Sequence, residues 1–184
     1  FGYLHFPALF DAAETAWITE EFDLSIQEFG DGKEHDGSSR TMFGGPIEHR
    51  PRLCALLDDA RVTGVIGGVL GENFNYASGD GNYYTGDTHW HPDGNWGQLF
   101  ACKVAFYLDP VGADTGCLRI IPGSHLPPLH EELEPLRQMH LRQRDYSGKA
   151  ASKEEQIDTD EGGDTPYGVG ASDLPAVPLE SQPG

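Results

Sequence analysis

Four short strand-like runs in the middle of the chain, bounded by turn signals, restrict the fold more than any other feature. Glycine and proline, 24 and 13 of the 184 residues, are frequent enough to supply the turns. Short strands joined in this way are typical of a sandwich or jelly roll, whereas a helix bundle would be interrupted by so many glycines and prolines. We therefore predict a mainly β fold with flanking α-helices. The runs are Phe74 to Ala77, Asp87 to His91, Leu99 to Leu108 and Cys117 to Ile121.

Two helical patterns precede these runs. Asp11 stands where a helix N-cap is expected, and Glu14 completes a capping-box pattern three residues later. The apolar spacing that follows predicts a helix from Ala12 to Glu28. Pro51 fits the first turn of a second helix, and this helix, or a helical pair, continues towards Leu70.

His91 and Asp93 are the candidate metal ligands and catalytic residues. One residue separates them, so on an extended strand both side chains would project from the same face. An imidazole and a carboxylate on one face can bind one ion, and they are two of the three ligands of the 2-His-1-carboxylate arrangement of non-haem iron(II). His89 would lie on the same face, so His89 and His91 form a rival metal pair.

Two motifs in this region carry a family resemblance. The ligands lie in Trp90-His91-x-Asp93, and Gly116 to His125 follows as Gly-x-Leu-x-x-x-Pro-Gly-Ser-His. In this order, from about Gly2 to the last residue, the chain resembles the phytanoyl-CoA dioxygenase family. The resemblance implies a double-stranded β-helix, a cupin-like jelly roll, and an enzyme that needs Fe(II), 2-oxoglutarate and O2. It implies hydroxylation of a C–H bond of a small-molecule substrate, with formation of succinate and CO2.

The resemblance also implies how a single oxygenase domain over residues 1–184 is divided. In the family, a histidine that is the third ligand and an arginine that pairs with 2-oxoglutarate follow on later strands. We expect both beyond Gly184, together with the C-terminal strands, and we expect the domain to be incomplete at both ends. The expected parts are an N-terminal helical layer (1–72), the first jelly-roll strands with the metal motif (73–125), an insertion or lid (126–175) and the start of the returning strands (176–184).

Four further residues are candidates for binding the cosubstrate. Asn75 matches a position from which relatives donate a hydrogen bond to 2-oxoglutarate. Tyr84 and Trp96 are candidate pocket walls, and packing in the core is the alternative for both. Lys103 reaches a cosubstrate carboxylate if it points inward and faces solvent if it points outward. Asp93 favours hydroxylation over halogenation, because related halogenases have Gly or Ala at the carboxylate position.

Two other classes of function remain open. The first is a non-catalytic jelly-roll binding protein that lacks a full triad. The second is a cupin-type metalloenzyme that uses His89 and His91. The cupin pattern expects a glycine where Tyr83 stands and a glutamate where Asn95 or Trp96 stands, so this chain departs from it at both places.

Charge and cysteine content restrict the partners and the compartment. The formal net charge of -18 argues against nucleic acid, because phosphate binding needs a basic surface. No apolar run approaches the length of a membrane span. The three cysteines have no metal-site spacing and lie in apolar stretches, which predicts buried free thiols in a reducing compartment. We therefore expect a cytoplasmic protein that acts on a small molecule without a nucleic-acid or membrane partner, and the sequence leaves its oligomeric state open.

Overall fold

The structure is a computed structural model that describes residues 1–30, 35–38, 40–84, 90–93, 100–138, 167 and 173–184. Its elements, in chain order, are α1 (Ala12–Phe29), β1 (Thr41–Gly44), α2 (Pro46–His49), α3 (Pro51–Cys54), a 3₁₀ turn (Ala55–Asp58), α4 (Ala60–Leu70), β2 (Asp80–Tyr83), β3 (Leu118–Ile120), α5 (Leu129–Glu132), a second 3₁₀ turn (Glu134–Gln138) and β4 (Val177–Leu179). None of the helices in these ranges has the length and apolar character needed to cross a lipid bilayer.

Helix α1 begins where the sequence predicts. Asp11 Oδ1 accepts hydrogen bonds from the backbone N–H groups of Ala13 and Glu14, at 2.9 and 2.8 Å, and the Asp11 N–H donates to Glu14 Oε2 at 2.9 Å. This capping box satisfies donors that the first helical turn leaves without a partner in the helix. The predicted helix from Ala12 to Glu28 is confirmed and is one residue longer, ending at Phe29.

The second predicted helix is interrupted. It begins at Pro51 as expected, but the segment up to Leu70 is divided into α3, a 3₁₀ turn and α4. Asp59 adopts an extended backbone conformation and caps α4, with its side chain accepting a hydrogen bond from the Arg61 N–H at 2.9 Å. A continuous helix cannot pass through a residue in this conformation, so the segment follows the predicted helical pair and not the single helix.

The hydrophobic core lies between the helices and includes a segment from the later part of the chain. Its buried residues are Phe10, Ile18, Leu53, Leu56 and Val62. Phe106 and Leu108 pack against this cluster, and the ring centres of Phe10 and Phe106 are 5.3 Å apart. The segment 100–108 is therefore anchored on the helical layer.

The strands form two separate antiparallel sheets of two strands each. In one sheet β1 pairs with β2, with Thr41 opposite Tyr83. In the other β3 pairs with β4, with Leu118 opposite Leu179. These two sheets do not close into a barrel within the described ranges, so the double-stranded β-helix stays a prediction.

Of the strands predicted from the sequence, two are present and two are absent from the described residues. Cys117 to Ile121 is confirmed over β3, and the start of the returning strands, 176–184, contains β4. Phe74 to Ala77 and the described part of Leu99 to Leu108 are not strands. A strand needs backbone hydrogen bonds to a neighbouring strand. Along residues 100–108, the described backbone hydrogen bond to another segment is the one that the Gly184 N–H donates to the Tyr107 carbonyl, at 3.2 Å.

The predicted strand from Asp87 to His91 lies mostly outside the described residues. Trp90 and His91, which are described, are not in a strand. Pro92 follows them, and a proline cannot donate to a sheet ladder. The expectation that the metal motif lies on a strand is therefore wrong for these residues.

Strand β2 begins in a stretch whose Ser, Gly and Asp residues are more typical of a turn. Gly81 is buried there, and a Cβ at this position would overlap with the ring of Phe22 on α1. The glycine thus permits close approach of a helix to the strand. Sequence reasoning missed the β1–β2 pair because this requirement comes from a residue distant in the chain.

The C-terminal segment runs antiparallel to residues 107–120. Val111 and Ser181 exchange backbone hydrogen bonds at 2.9 and 3.0 Å, and the Phe10 N–H donates to the Gly184 carbonyl at 3.0 Å. The segment therefore joins the start of α1 to the β3–β4 sheet. The predicted lid, 126–175, lies mainly outside the described residues, which include α5 and the second 3₁₀ turn at its start.

The three cysteines are free thiols. Cys117 is buried as predicted, but Cys54 and Cys102 are exposed, so the prediction of buried thiols is wrong for two of them. Helix α3 turns Leu53 into the core, and the next side chain points in a different direction because successive helical residues are rotated by about 100°.

Candidate metal centre

His91 and Asp93 converge although they do not lie on a strand. Nε2 of His91 is 3.7 Å from Oδ1 of Asp93, and 42% and 45% of the two side chains are exposed. One residue, Pro92, separates them in a non-helical stretch. Solvent and small ions can therefore reach this pair.

Asp93 is held in its ionised form. A hydrogen bond with His91 lowers the pKa of Asp93 to about 2, and a second one from Lys103 acts in the same direction against partial burial. Partial burial lowers the pKa of Lys103, but the hydrogen bond to Asp93 and the nearby negative charges together outweigh burial and raise the pKa. The side chains of His91, ionised Asp93 and the Lys103 ammonium therefore lie together.

Lys103 reaches the pair from the segment that is anchored on the core. Its Nζ lies 2.9 Å from Asp93 Oδ1, the same oxygen that faces His91. Phe106 and Leu108 of this segment pack against the helical cluster. Phe106 is three residues after Lys103, so its packing on the core holds the Lys103 backbone in place and positions the ammonium group beside the Asp93 carboxylate.

The two donor atoms suit a metal ion. Bonds from a metal to imidazole nitrogen and carboxylate oxygen are about 2.0–2.2 Å long, so one ion can join donors up to about 4 Å apart. The observed separation of 3.7 Å is within this limit. Nitrogen and oxygen ligands of this kind are those of non-haem iron(II). Within the described ranges no group of three or more His, Cys, Asp or Glu residues is arranged to hold an ion, so among these residues the pair would be only a part of a coordination sphere.

Tyr84 lies beside a cation that sequence reasoning missed. The Arg40 guanidinium carbon is 4.6 Å from the centre of the Tyr84 ring, and its Nη2 is 3.4 Å from the phenol oxygen. Arg40 Nε donates to Asn82 Oδ1 at 2.8 Å. A single arginine before a short strand carries no motif, and only the β1–β2 pairing places it here.

The remaining candidates are not joined to the pair by contacts among the described residues. Asn75 is exposed in the stretch between α4 and β2. Tyr84 is 55% exposed, and its hydrogen-bond partner in the described part of the chain is Arg40. Trp96 and His89 lie outside the described residues, so the pocket-wall role of the first and the rival metal pair of the second stay predictions.

Comparison with known proteins identifies the family. The family described as phytanoyl-CoA dioxygenase (PhyH) matches residues 1–165, which include all of the candidate site residues. The chain belongs to the phytanoyl-CoA dioxygenase family. This confirms the resemblance seen in the sequence motifs; the family consists of Fe(II)- and 2-oxoglutarate-dependent oxygenases and implies a cupin-like fold. No curated protein and no solved structure matches the chain.

Proposed function

We propose that this protein is an Fe(II)- and 2-oxoglutarate-dependent dioxygenase that hydroxylates a C–H bond of a small molecule, with formation of succinate and CO2. His91 and Asp93 are the proposed metal ligands. The observation that carries the proposal is their convergence to 3.7 Å, within a chain that belongs to an oxygenase family. When bound, iron(II) supplies the oxidation chemistry, and O2 and 2-oxoglutarate are the cosubstrates.

The chain's own groups contribute charge and orientation. Asp93 presents an ionised oxygen at neutral pH because its pKa is about 2. The imidazole of His91 supplies a neutral nitrogen ligand, which is a common metal donor. A carboxylate at this position leaves no room for a halide ligand, and this supports hydroxylation rather than halogenation.

The proposed cosubstrate-binding residues are Asn75, Tyr84, Trp96 and Lys103. The geometry adds Arg40 to them. Its planar guanidinium matches a carboxylate in bidentate fashion, and among the described residues it forms no ion pair with an Asp or Glu. Arg40 is thus available to an anionic group that binds over Tyr84.

An anaerobic titration tests the proposal. Iron(II) and 2-oxoglutarate are added to the protein, and the weak metal-to-ligand charge-transfer band is followed in the visible spectrum. We expect the band in the parent protein and its loss in Asp93→Ala. Asp114→Ala removes an equal charge from an exposed turn and should keep the band.

Two outcomes would contradict the proposal. If the parent protein binds neither iron(II) nor 2-oxoglutarate while it remains folded, the chain acts as a non-catalytic binding protein. If His89→Ala abolishes metal binding and Asp93→Ala does not, the ligands are those of the cupin-type alternative. Retention of the band in His89→Ala supports the pair formed by His91 and Asp93.

A further inference from the structure

One carboxylate oxygen of the candidate centre faces two groups at once. Asp93 Oδ1 is 2.9 Å from the Lys103 ammonium and 3.7 Å from His91 Nε2. The second contact makes it the oxygen through which Asp93 can share an ion with His91. The first contact places a fixed positive charge on that same oxygen.

We propose that Lys103 competes with the metal ion for Oδ1 of Asp93, so that metal binding displaces the Lys103 ammonium. This inference rests on the proposed function, because it takes His91 and Asp93 as the ligands. It adds a group that controls how tightly the centre holds its metal. Lys103 therefore acts on metal affinity through Asp93 and is not itself a metal ligand.

Repulsion between two positive charges is the physical reason for competition between the Lys103 ammonium and a metal ion. An ion bound to Oδ1 at about 2.0–2.2 Å would lie close to an ammonium that is 2.9 Å from the same atom. Two positive charges at such separations repel strongly, and partial removal from water reduces the screening between them. Lys103 and Asp93 are 51% and 45% exposed, so the ammonium has solvent into which it can move.

The surroundings also include a second acid. The charge of Asp80 acts on Lys103 in the same direction as that of Asp93, so it can attract the displaced ammonium. A lysine side chain has a flexible four-carbon stem and moves without a change in the backbone. Displacement therefore needs no rearrangement of the anchored segment 100–108.

Metal affinity measured without catalysis tests the inference. Co²⁺ is titrated into the protein, with calorimetry and visible absorption as readouts, because Co²⁺ is a stable substitute that binds nitrogen and oxygen ligands more tightly than Fe²⁺. We expect the Kd of Lys103→Met for Co²⁺ to fall by about three- to tenfold, the range set by loss of an exposed ion pair and of the repulsion. Lys103→Arg keeps the charge and should stay near the parent value.

A matched control separates this local effect from a change in net charge. Arg119→Met removes one positive charge from the exposed face of β3 and should leave the Kd unchanged. Equal tightening in Arg119→Met and Lys103→Met would overturn the inference. Weaker or unchanged Co²⁺ binding in Lys103→Met, while Asp93→Ala loses binding, would overturn it and leave the proposed function standing.

Failure of the proposed function looks different. If neither the parent protein nor Lys103→Met binds Co²⁺, both the function and the inference fall. If the parent binds weakly and Lys103→Met binds clearly, the inference is supported, and the lysine explains the weak binding of the parent.

Discussion

Truncation of Phe10 tests whether the helical core supports the segment that carries Lys103. Phe10 is only 2% exposed, and its ring contacts Phe106 at a centre-to-centre distance of 5.3 Å. Replacement of a core phenylalanine by alanine costs about 3–5 kcal/mol, because apolar surface is lost and a cavity remains. Domains of this size are stable by about 5–15 kcal/mol in total. Phe10→Ala should therefore lose a large share of the free energy of unfolding.

Urea unfolding followed by tryptophan fluorescence measures this loss, with Phe100→Ala as the matched control. Phe100 is 74% exposed, so the same substitution there should change the free energy of unfolding by less than about 0.5 kcal/mol. Hydrogen exchange adds a local readout: Phe10→Ala should accelerate exchange in residues 100–108, which lose their anchor. Similar losses in both variants, or a loss below about 1 kcal/mol for Phe10→Ala, would refute the argument that Phe10 anchors this segment.

The β1–β2 sheet and the Arg61 ion pairs allow two further predictions. Gly81→Ala should lower the free energy of unfolding by about 1–3 kcal/mol, because the new Cβ overlaps with the Phe22 ring. Gly44→Ala lies in the same sheet, where a Cβ would meet nothing within 4 Å; it should be neutral in the same urea assay, and equal effects would contradict the overlap. The hydrogen bond from Arg61 lowers the pKa of Asp59 to about 2, so the stabilisation is fully present above the unfolded pKa of about 4 and is lost as the pH falls through about 2. The difference in urea midpoint between the parent and Arg61→Met should therefore be largest near neutral pH and shrink towards about pH 2. A difference that grows as the pH falls would contradict the stabilisation of ionised Asp59 by Arg61.

The start of α1 could be predicted because its determinants are local. Asp11 and Glu14 are three residues apart and cap the same turn, so their pattern is visible in the sequence. The break at Asp59 was not visible in this way. Asp59 caps α4 by accepting from the Arg61 N–H, and the Arg61 side chain pairs both with Asp59 and with Glu14 on α1, each at 2.7 Å. The contact between Arg61 and Glu14 depends on how two helices pack.

The candidate centre was also predictable from the sequence only in part. His91 and Asp93 could be selected because one residue separates them and because the motif around them resembles a family that the comparison confirms. The reason given for their convergence, a strand, was wrong, although the two side chains do converge. Side chains two residues apart can meet in more than one backbone conformation, so the motif predicts proximity better than it predicts secondary structure.

The amino-acid sequence alone predicted the family, the first helix and the pair of candidate ligands. The helix and the ligand pair depend on residues within a few positions of one another, and the family is carried by the order of short motifs along the chain. Only the folded chain showed that Lys103 binds Asp93 and that Arg40 lies on the Tyr84 ring. The partners in these contacts are 10 and 44 positions apart. Contacts over such separations are set by the path of the chain and by the packing of Phe106 on Phe10, and no local pattern of residues encodes them.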